Sequence, residues 1–437
     1  MQRWSNWGRT ARAVPSSVVT PRDTAELAAA IERAGRDGRT VRALGSGHSF
    51  SAVGSPEDGC ALDLSQLSGI ISADPGTGLV VVRAGTPLHR LNTDLDGLGL
   101  ALPNLGDIDR QTVAGAISTG THGTGAELGG LATQVAALEL VLADGTEVRC
   151  SPEENPQLFA AAGIGLGALG VITTATLRCV PAFTLAAEEH QAGFGEVLDG
   201  FDELAAANDH FEFHWFPHSE RTLVKRNNRC DGPPEPLSPV RRFVEYEVLE
   251  NGLFGAVCEL GRAVKPLVRP LNRVCAAAWS ARSYRDRSHR VFTTPRRIRF
   301  VETEYAFPRE RIGEVLRELR AAAARLADPV MFPVEVRIAA PDDIWLSTAH
   351  GRPTAYVAVH QYVGMPHREW FDAFESIAAA AGGRPHWGKM HRLDAATLRE
   401  RYPRFDDFLR IRAEADPGGV FTNGYLNRVL GPVDNSV

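Results

Sequence analysis

Residues 44–50 read Leu44-Gly45-Ser46-Gly47-His48-Ser49-Phe50, directly after the apolar-rich run Val41-Arg42-Ala43. Gly45 and Gly47 allow positive φ, so successive N–H groups can converge on an anion. A nucleotide-hydrolysing phosphate loop would place Lys here, followed by Ser or Thr for a metal ion. His48 stands in the loop instead, which argues against nucleotide hydrolysis. An imidazole held beside a bound dinucleotide has another use, because its lone pair can bond covalently to that ligand.

Two further glycine-rich stretches follow. Residues 112–125, Thr-Val-Ala-Gly-Ala-Ile-Ser-Thr-Gly-Thr-His-Gly-Thr-Gly, carry four glycines and almost no bulk. Such small residues predict close approach of the backbone to a flat ligand rather than core filling. Gly163-Ile-Gly-Leu-Gly-Ala-Leu-Gly170 then leads into a strand at 171–177. It contains the letters GxGxxG, but it follows a helix-like stretch (156–162) and precedes a strand. The Rossmann motif requires the reverse order, so a nicotinamide site of that type is disfavoured. Three glycine loops between Gly45 and Gly170 instead suggest one long cofactor threaded through one domain.

The blocks VRALGSGHSFS (41–51), PNLGDIDRQTVAGAISTGTHGTG (103–125) and GRPHWGKMH (383–391) resemble the sugar-1,4-lactone oxidoreductases of the vanillyl-alcohol-oxidase flavoprotein superfamily. Alditol oxidases are near relatives of that group. The resemblance runs from Trp4-Ser5-Asn6-Trp7 to Phe421-Thr-Asn-Gly-Tyr425. It implies an α+β, two-domain FAD-binding fold with an antiparallel-sheet substrate (cap) domain. The expected divisions are residues 1–181 for FAD, 182–394 for the cap, and 395–437 returning to the FAD domain. By the same resemblance, FAD is held by Gly45, Ser46, Gly47, His48, Ser49, Gly106, Thr112, Gly115, Ser118, Thr119, Gly120, Thr121, Gly123, Gly170 and Val171. It is expected to be attached covalently through His48.

Composition narrows the class. A chain of 437 residues exceeds one ordinary core. A hydrophobic share of 44% with 23% charged residues is that of a soluble globular protein. The net charge of −6 argues against a nucleic-acid partner. The short basic runs Arg296-Arg297-Ile298-Arg299 and Lys225-Arg226 read as solvated strand faces. No apolar run reaches the roughly 18 residues of a membrane span, and no signal-peptide pattern opens the chain. Six cysteines without a pairing pattern read as reduced cytoplasmic residues, and peripheral membrane association stays open.

Helices are expected at 24–36, 87–98, 308–327 and 367–381, and strands at 41–44, 60–64, 79–84, 135–142 and 146–150. Residues 210–216 and 301–307 alternate polar and apolar, which reads as antiparallel strands with one wet face. Blocks 331–338 and 356–362 complete that sheet, and Gly232–Pro239 is a proline-rich surface loop. His210, Glu212 and His214 mimic a metal triad, but a strand separates i and i+4 by about 13 Å, and no metal is expected.

Oxidising a C–OH bond with flavin needs an acceptor for the hydroxyl proton and a cation near the reduced ring. Glu335-Val336-Arg337 places two charges on one strand face. Without the resemblance this is a structural ion pair; with it, both residues hold the reacting hydroxyls. In His386-Trp387-Gly388-Lys389, Gly388 permits a bend that turns Lys389 back beside His386. Lys389 is implied as the cation, and His386 as a substrate contact or proton acceptor. Glu335, His386 and Lys389 each fit the role of base. Ser118 and Thr121 are placed on the substrate side, and His122 is expected to fix its loop. The implied reaction is oxidation of a sugar lactone at its C2 hydroxyl, with O2 or an acceptor such as a cytochrome taking the electrons. An alditol or other polyol is the alternative substrate, and a flavin-binding protein without turnover the alternative of another class.

Overall fold

Asp23 opens the first helix: its side chain accepts the Glu26 N–H, and Thr24–Arg36 buries Leu27, Ile31 and Ala34. The structure, a computed structural model, describes residues 3–433. That helix belongs to a first unit built on a three-stranded and a five-stranded sheet, with two short two-stranded pairings beside them. Cys60–Asp63 lies between Ser17–Val19 and Val41–Leu44, all parallel. A five-stranded antiparallel sheet runs Glu147–Cys150, Val135–Val141, Val171–Arg178, Leu79–Arg83 and Ile70–Asp74 in spatial order. The elements expected at 24–36, 41–44, 79–84, 135–142 and 171–177 are present with ends shifted by a residue or so.

One stretch departs from expectation. Within residues 112–125, Val113–Ser118 is a short helix capped by Thr112, and Val113, Ala116 and Ile117 go into the core. Small residues do fill core here, because the helix alternates buried side chains with glycine and serine turned to the adjoining cleft. The same core takes in Trp345, Leu346, Trp387 and, from the far end of the chain, Leu398, Tyr402, Phe405, Phe408, Phe421 and Leu426.

An eight-stranded antiparallel sheet dominates the middle of the chain. Its order is Arg282–Arg287, Thr184–Gly193, Arg221–Cys230, His210–Trp215, Val334–Ala339, Thr354–Tyr362, Phe300–Pro308 and Arg384–Pro385. Alternation gives it two faces. Phe213, Trp215, Val336, Val357, Val359 and Phe307 pack beneath helices Ile312–Arg325 and Arg368–Ala380, on Leu316, Leu319, Trp370 and Phe374. The opposite face bears His210, Glu212, His214, Glu302, Glu304, Glu335, Arg337 and His360.

That second face is not wet. His210 is 1% exposed, Glu302 4% and Glu304 5%, because the face lies against the loop 104–125 of the first unit. Thr124 bridges the two: its hydroxyl donates to Phe211 O and accepts the Ile338 N–H. The basic runs are likewise not simply solvated, since Lys225 pairs with Glu212 at 3.2 Å and Arg296 with Asp107 at 3.0 Å. A helical excursion from Pro239 to Ala278, including a wide π-type segment Phe243–Leu253, was not expected from the sequence.

Candidate active site

The strand Val41–Leu44 delivers the chain into the glycine turn, where Gly47 takes φ +70°. A side chain at Gly45 would put its Cβ 2.8 Å from Thr112 Oγ1, so the close approach of the two loops requires glycine there. Among the described residues, the N–H groups of 46–49 donate to no protein acceptor. They face an elongated, partly open cleft lined by Gly45, Ser46, Gly47, His48, Ser49, Thr112, Gly115, Ser118, Thr119, Gly170 and Val171. Free backbone donors beside a long, partly apolar cleft fit a dinucleotide with a flat ring. Of the other residues expected to bind the cofactor, Gly106 and Thr121 line the adjoining cavity. Gly120 packs on Ile164, and Gly123 is pressed against Asn104 and Leu105, so neither borders these two cavities.

The cleft also uses residues that sequence reasoning passed over. Arg42 is buried, and its guanidinium donates to the carbonyls of Gly167, Leu166, Val53 and Phe421 at 2.6–3.1 Å. Burial, with Arg412 nearby, lowers its pKa to about 10. Trp4, Asn6, Gln111 and Leu166 also line the cleft. His48 stacks on Trp7 with ring centroids 5.9 Å apart. Burial, then Lys389 and Arg110, pull the His48 pKa below its ordinary value. The imidazole therefore stays neutral near pH 7, with a lone pair available.

A second cavity adjoins His48 and Ser49, and Gly106, Asp107, Gln111, Thr121, His122, Glu304, Arg337, His386 and Lys389 border it. Here the structure brings the predicted pairs together. Arg337 reaches Glu335 at 2.5 Å, Glu212 at 2.9 Å and Asp107 at 3.4 Å. Burial alone would lower the Arg337 pKa, but these three carboxylates hold it well above the ordinary value. Burial would conversely raise Glu335; Arg337 and His214 keep it well below the carboxylate range. Asp107, countered by Arg337 and Arg296 against burial, is held at about 2.

Lys389 sits on the neighbouring strand's carboxylates, 2.5 Å from Glu302 and 3.9 Å from Glu304. Against the effect of burial, these two keep the ammonium protonated. Gly388 makes the expected bend: its N–H donates to His386 Nδ1 at 3.0 Å, and the Lys389 N–H donates to His386 O. An Nδ1 that accepts leaves the proton of a neutral imidazole on Nε2. Burial lowers the His386 pKa to about 4, so the ring is neutral and Nε2–H is a donor. Trp387 is fully buried, with its indole N–H on Leu346 O.

Glu304 is the residue most clearly missed. Its Oε1 lies 2.9 Å from His122 Nε2, while His122 Nδ1 lies 2.9 Å from Gly123 O and the ring stacks on Tyr356. Burial would raise Glu304, yet His122, His386 and Lys389 together hold it far below the usual range. The signal was present in Val301-Glu302-Thr303-Glu304-Tyr305, where the carboxylates stand two apart on one strand face as the charges do in Glu335-Val336-Arg337.

Two clusters have ligand-like spacing, His122–Glu304–His386 and Glu212–His214–Glu335. In the second, cations already stand as Arg337 and Lys225, and His210 is apart, bonded to Thr124 O. In the first, the protonated Nε2 of His386 offers no lone pair to an ion. Neither donor set suits a metal.

Comparison with known proteins agrees with this geometry. Residues 15–151 match the FAD binding domain family, and residues 175–429 match the family of D-arabinono-1,4-lactone oxidase. L-gulono-1,4-lactone dehydrogenase of Mycobacterium tuberculosis is 43% identical over 429 residues, 98% of this chain and 99% of that protein. L-gulonolactone oxidase of Bos taurus is 35% identical, with 98% of each chain covered. The crystal structure of cholesterol oxidase from B. sterolicum superposes with a TM-score of 0.82 at 18% identity, covering 98% of this chain and 96% of that one, and so shares the fold. With a glycine-built FAD cleft facing a charged strand wall, and similarity along nearly its whole length, the chain belongs to the D-arabinono-1,4-lactone oxidase family.

Proposed function

We propose that the protein oxidises the C2 hydroxyl of an aldono-1,4-lactone such as L-gulono- or D-arabinono-1,4-lactone. The observation that carries this reading is the second cavity, where Arg337, His386 and Lys389 border the space next to His48. The names of its relatives support the substrate class. When bound, FAD supplies the two-electron acceptor for the hydride. Arg337, pre-oriented by three carboxylates, binds and aligns the substrate hydroxyls through its fixed fork. Glu335 fixes that fork. Lys389 provides the half-buried positive charge that offsets negative charge developing beside it.

Of the three residues that sequence left as candidate bases, each is committed elsewhere. Glu335 is tied to Arg337 and His214, Lys389 is held protonated, and His386 presents Nε2–H. Glu304 borders the cavity, and its Oε2 takes no hydrogen bond from a described residue. In this reading Glu304 Oε2 receives the hydroxyl proton. It is a weak base, so proton and hydride leave together, the departing hydride making the hydroxyl acidic. His386 donates to a substrate oxygen. His48 tethers the cofactor covalently, and a tryptic His48 peptide without flavin mass contradicts that assignment. O2 or a redox partner such as a cytochrome completes turnover. No helix of the described residues is long and apolar enough to cross a membrane.

The test is an anaerobic spectral titration with L-gulono-1,4-lactone, followed by air. Bleaching of the oxidised flavin band supports the reading, and the speed of its return on aeration separates oxidase from dehydrogenase. Bleaching by xylitol but by no lactone would replace the lactone with an open-chain polyol. Bleaching by neither would point to flavin binding without turnover.

A further inference from the structure

The polar face of the eight-stranded sheet does not end at Arg337. Glu212 stands on the next strand, His210–Trp215, and Lys225 and Asn227 on the one after it, Arg221–Cys230. Glu189 follows on Thr184–Gly193. Strand pairing sets Lys225 opposite both Glu212 and Glu189, so these side chains form one row. A third cavity lies over that row, and Leu105, Phe292 and Thr294 also border it. Asp107 and Arg337, 3.4 Å apart, border both this cavity and the one proposed to hold substrate, so the two spaces meet at that ion pair.

The charges around the third cavity are already spent. Glu189 pairs with Arg282 at 2.8 Å, Glu212 with Arg337 at 2.9 Å and with Lys225 at 3.2 Å, and Asp107 with Arg296 at 3.0 Å. An ionic ligand would leave one of these groups without its partner; a neutral one would not. Hydrogen-bonding capacity, by contrast, is left over. Among the described residues, the Asn227 side-chain amide and the Thr294 hydroxyl make no hydrogen bond, and Lys225 Nζ meets a single carboxylate with three donors to offer. An amide oxygen beside an ammonium suits a hydroxyl, which donates to the first and accepts from the second. The free space, about 30 Å³, holds about two groups the size of water, as a hydroxymethyl group would need.

Building on lactone oxidation as the proposed reaction, we infer that this third cavity is the subsite for the hydroxylated tail of the lactone. The ring of L-gulono-1,4-lactone carries a dihydroxyethyl tail. With the reacting hydroxyl beside Glu304 and His386, that tail runs past Asp107 and Arg337, and its terminal hydroxymethyl ends against Asn227, Thr294 and Lys225. Asn227 and Thr294 are thus specificity-determining residues, which select for tail hydroxyls and take no part in the chemical step.

The test compares L-gulono-1,4-lactone with L-erythrono-1,4-lactone, which keeps the ring hydroxyls and has no tail, using the flavin-loaded full chain and one electron acceptor. The wild type should favour the tailed lactone by at least about 30-fold in kcat/KM. Asn227→Leu should cut that preference about tenfold, chiefly through a raised KM for the tailed lactone, and Thr294→Val about threefold. A merely structural defect would lower both lactones together and leave the ratio where it was, so an unchanged ratio in both variants overturns the inference. Equal kcat/KM for the two lactones in the wild type also overturns it, because the cavity then holds solvent only, while lactone oxidation itself stands. If neither lactone bleaches the flavin, the proposed reaction fails and the subsite with it.

Discussion

The two cavities that meet at His48 are built on opposite principles. The cofactor cleft is made of backbone: glycine turns and free N–H groups, with side chains kept small so that a large ligand can enter. The adjoining cavity is walled by charges: Arg337, Lys389, Glu304 and Asp107 border it, with Glu335 paired to Arg337 behind them, and each is held in its ionised form by its neighbours. The first binds by shape and costs little to maintain. The second is under electrostatic tension, because removing any one charge leaves others buried without a partner.

Arg337→Ala should break the charged wall most severely. It strips the shared cation from Glu335, Glu212 and Asp107, with an expected loss of about 3–5 kcal/mol of stability. Denaturant unfolding of the variant measures this, and an unshifted midpoint contradicts the network. Lys389→Met replaces a side chain of similar length without its charge. The turnover number should fall about 10²–10³-fold while the protein still purifies yellow, since no cofactor-cleft residue is touched. Loss of colour would show that the two walls are not separable in this way.

Acid should act through two buried histidines, His386 at the charged wall and His391 beside Tyr425. His386 and His391 are buried, with pKa values lowered by burial to about 4 and about 3. Both stay neutral when folded but take up protons when unfolded, so their contribution is intact above pH 6.5 and drains away as pH falls towards the folded values. Between pH 6.5 and 5 each should cost about 2 kcal/mol, and thermal melts across that window should show it. His391→Leu should flatten the profile. The smallest effect belongs to the backbone wall. Gly47→Ala meets no atom closer than 3.6 Å, so only its φ of +70° is strained. A stability loss of about 1 kcal/mol is expected, with weaker retention of FAD on dialysis.

This difference in construction also explains what the sequence discloses. Glycine needs and local periodicity are written in neighbouring residues, and so the His48 loop, the helix at Thr24–Arg36 and the strand at Val41–Leu44 were readable. Glu335 and Arg337 were readable because they stand two apart on one strand. Their remaining partners, Glu212 and Asp107, are more than 120 residues away, and nothing local announces such a pairing. Alternation along 301–307 correctly indicates a strand, but its polar face was assigned to water, because a buried charged wall and a solvated face have the same period. The Pro239–Ala278 excursion escaped because its apolar residues point both inward and outward, so no single helical stripe emerges.

The Arg42 guanidinium has a consequence for biosynthesis. It fastens the floor of the cofactor cleft to Phe421 O, 379 positions further along the chain, while Asn423 donates to the carbonyls of Ala52, Val53 and Ser55. Those bonds cannot form in a nascent chain until Phe421 and Asn423 have been added, so the floor of the cleft is closed by residues made hundreds of positions after its glycine turn.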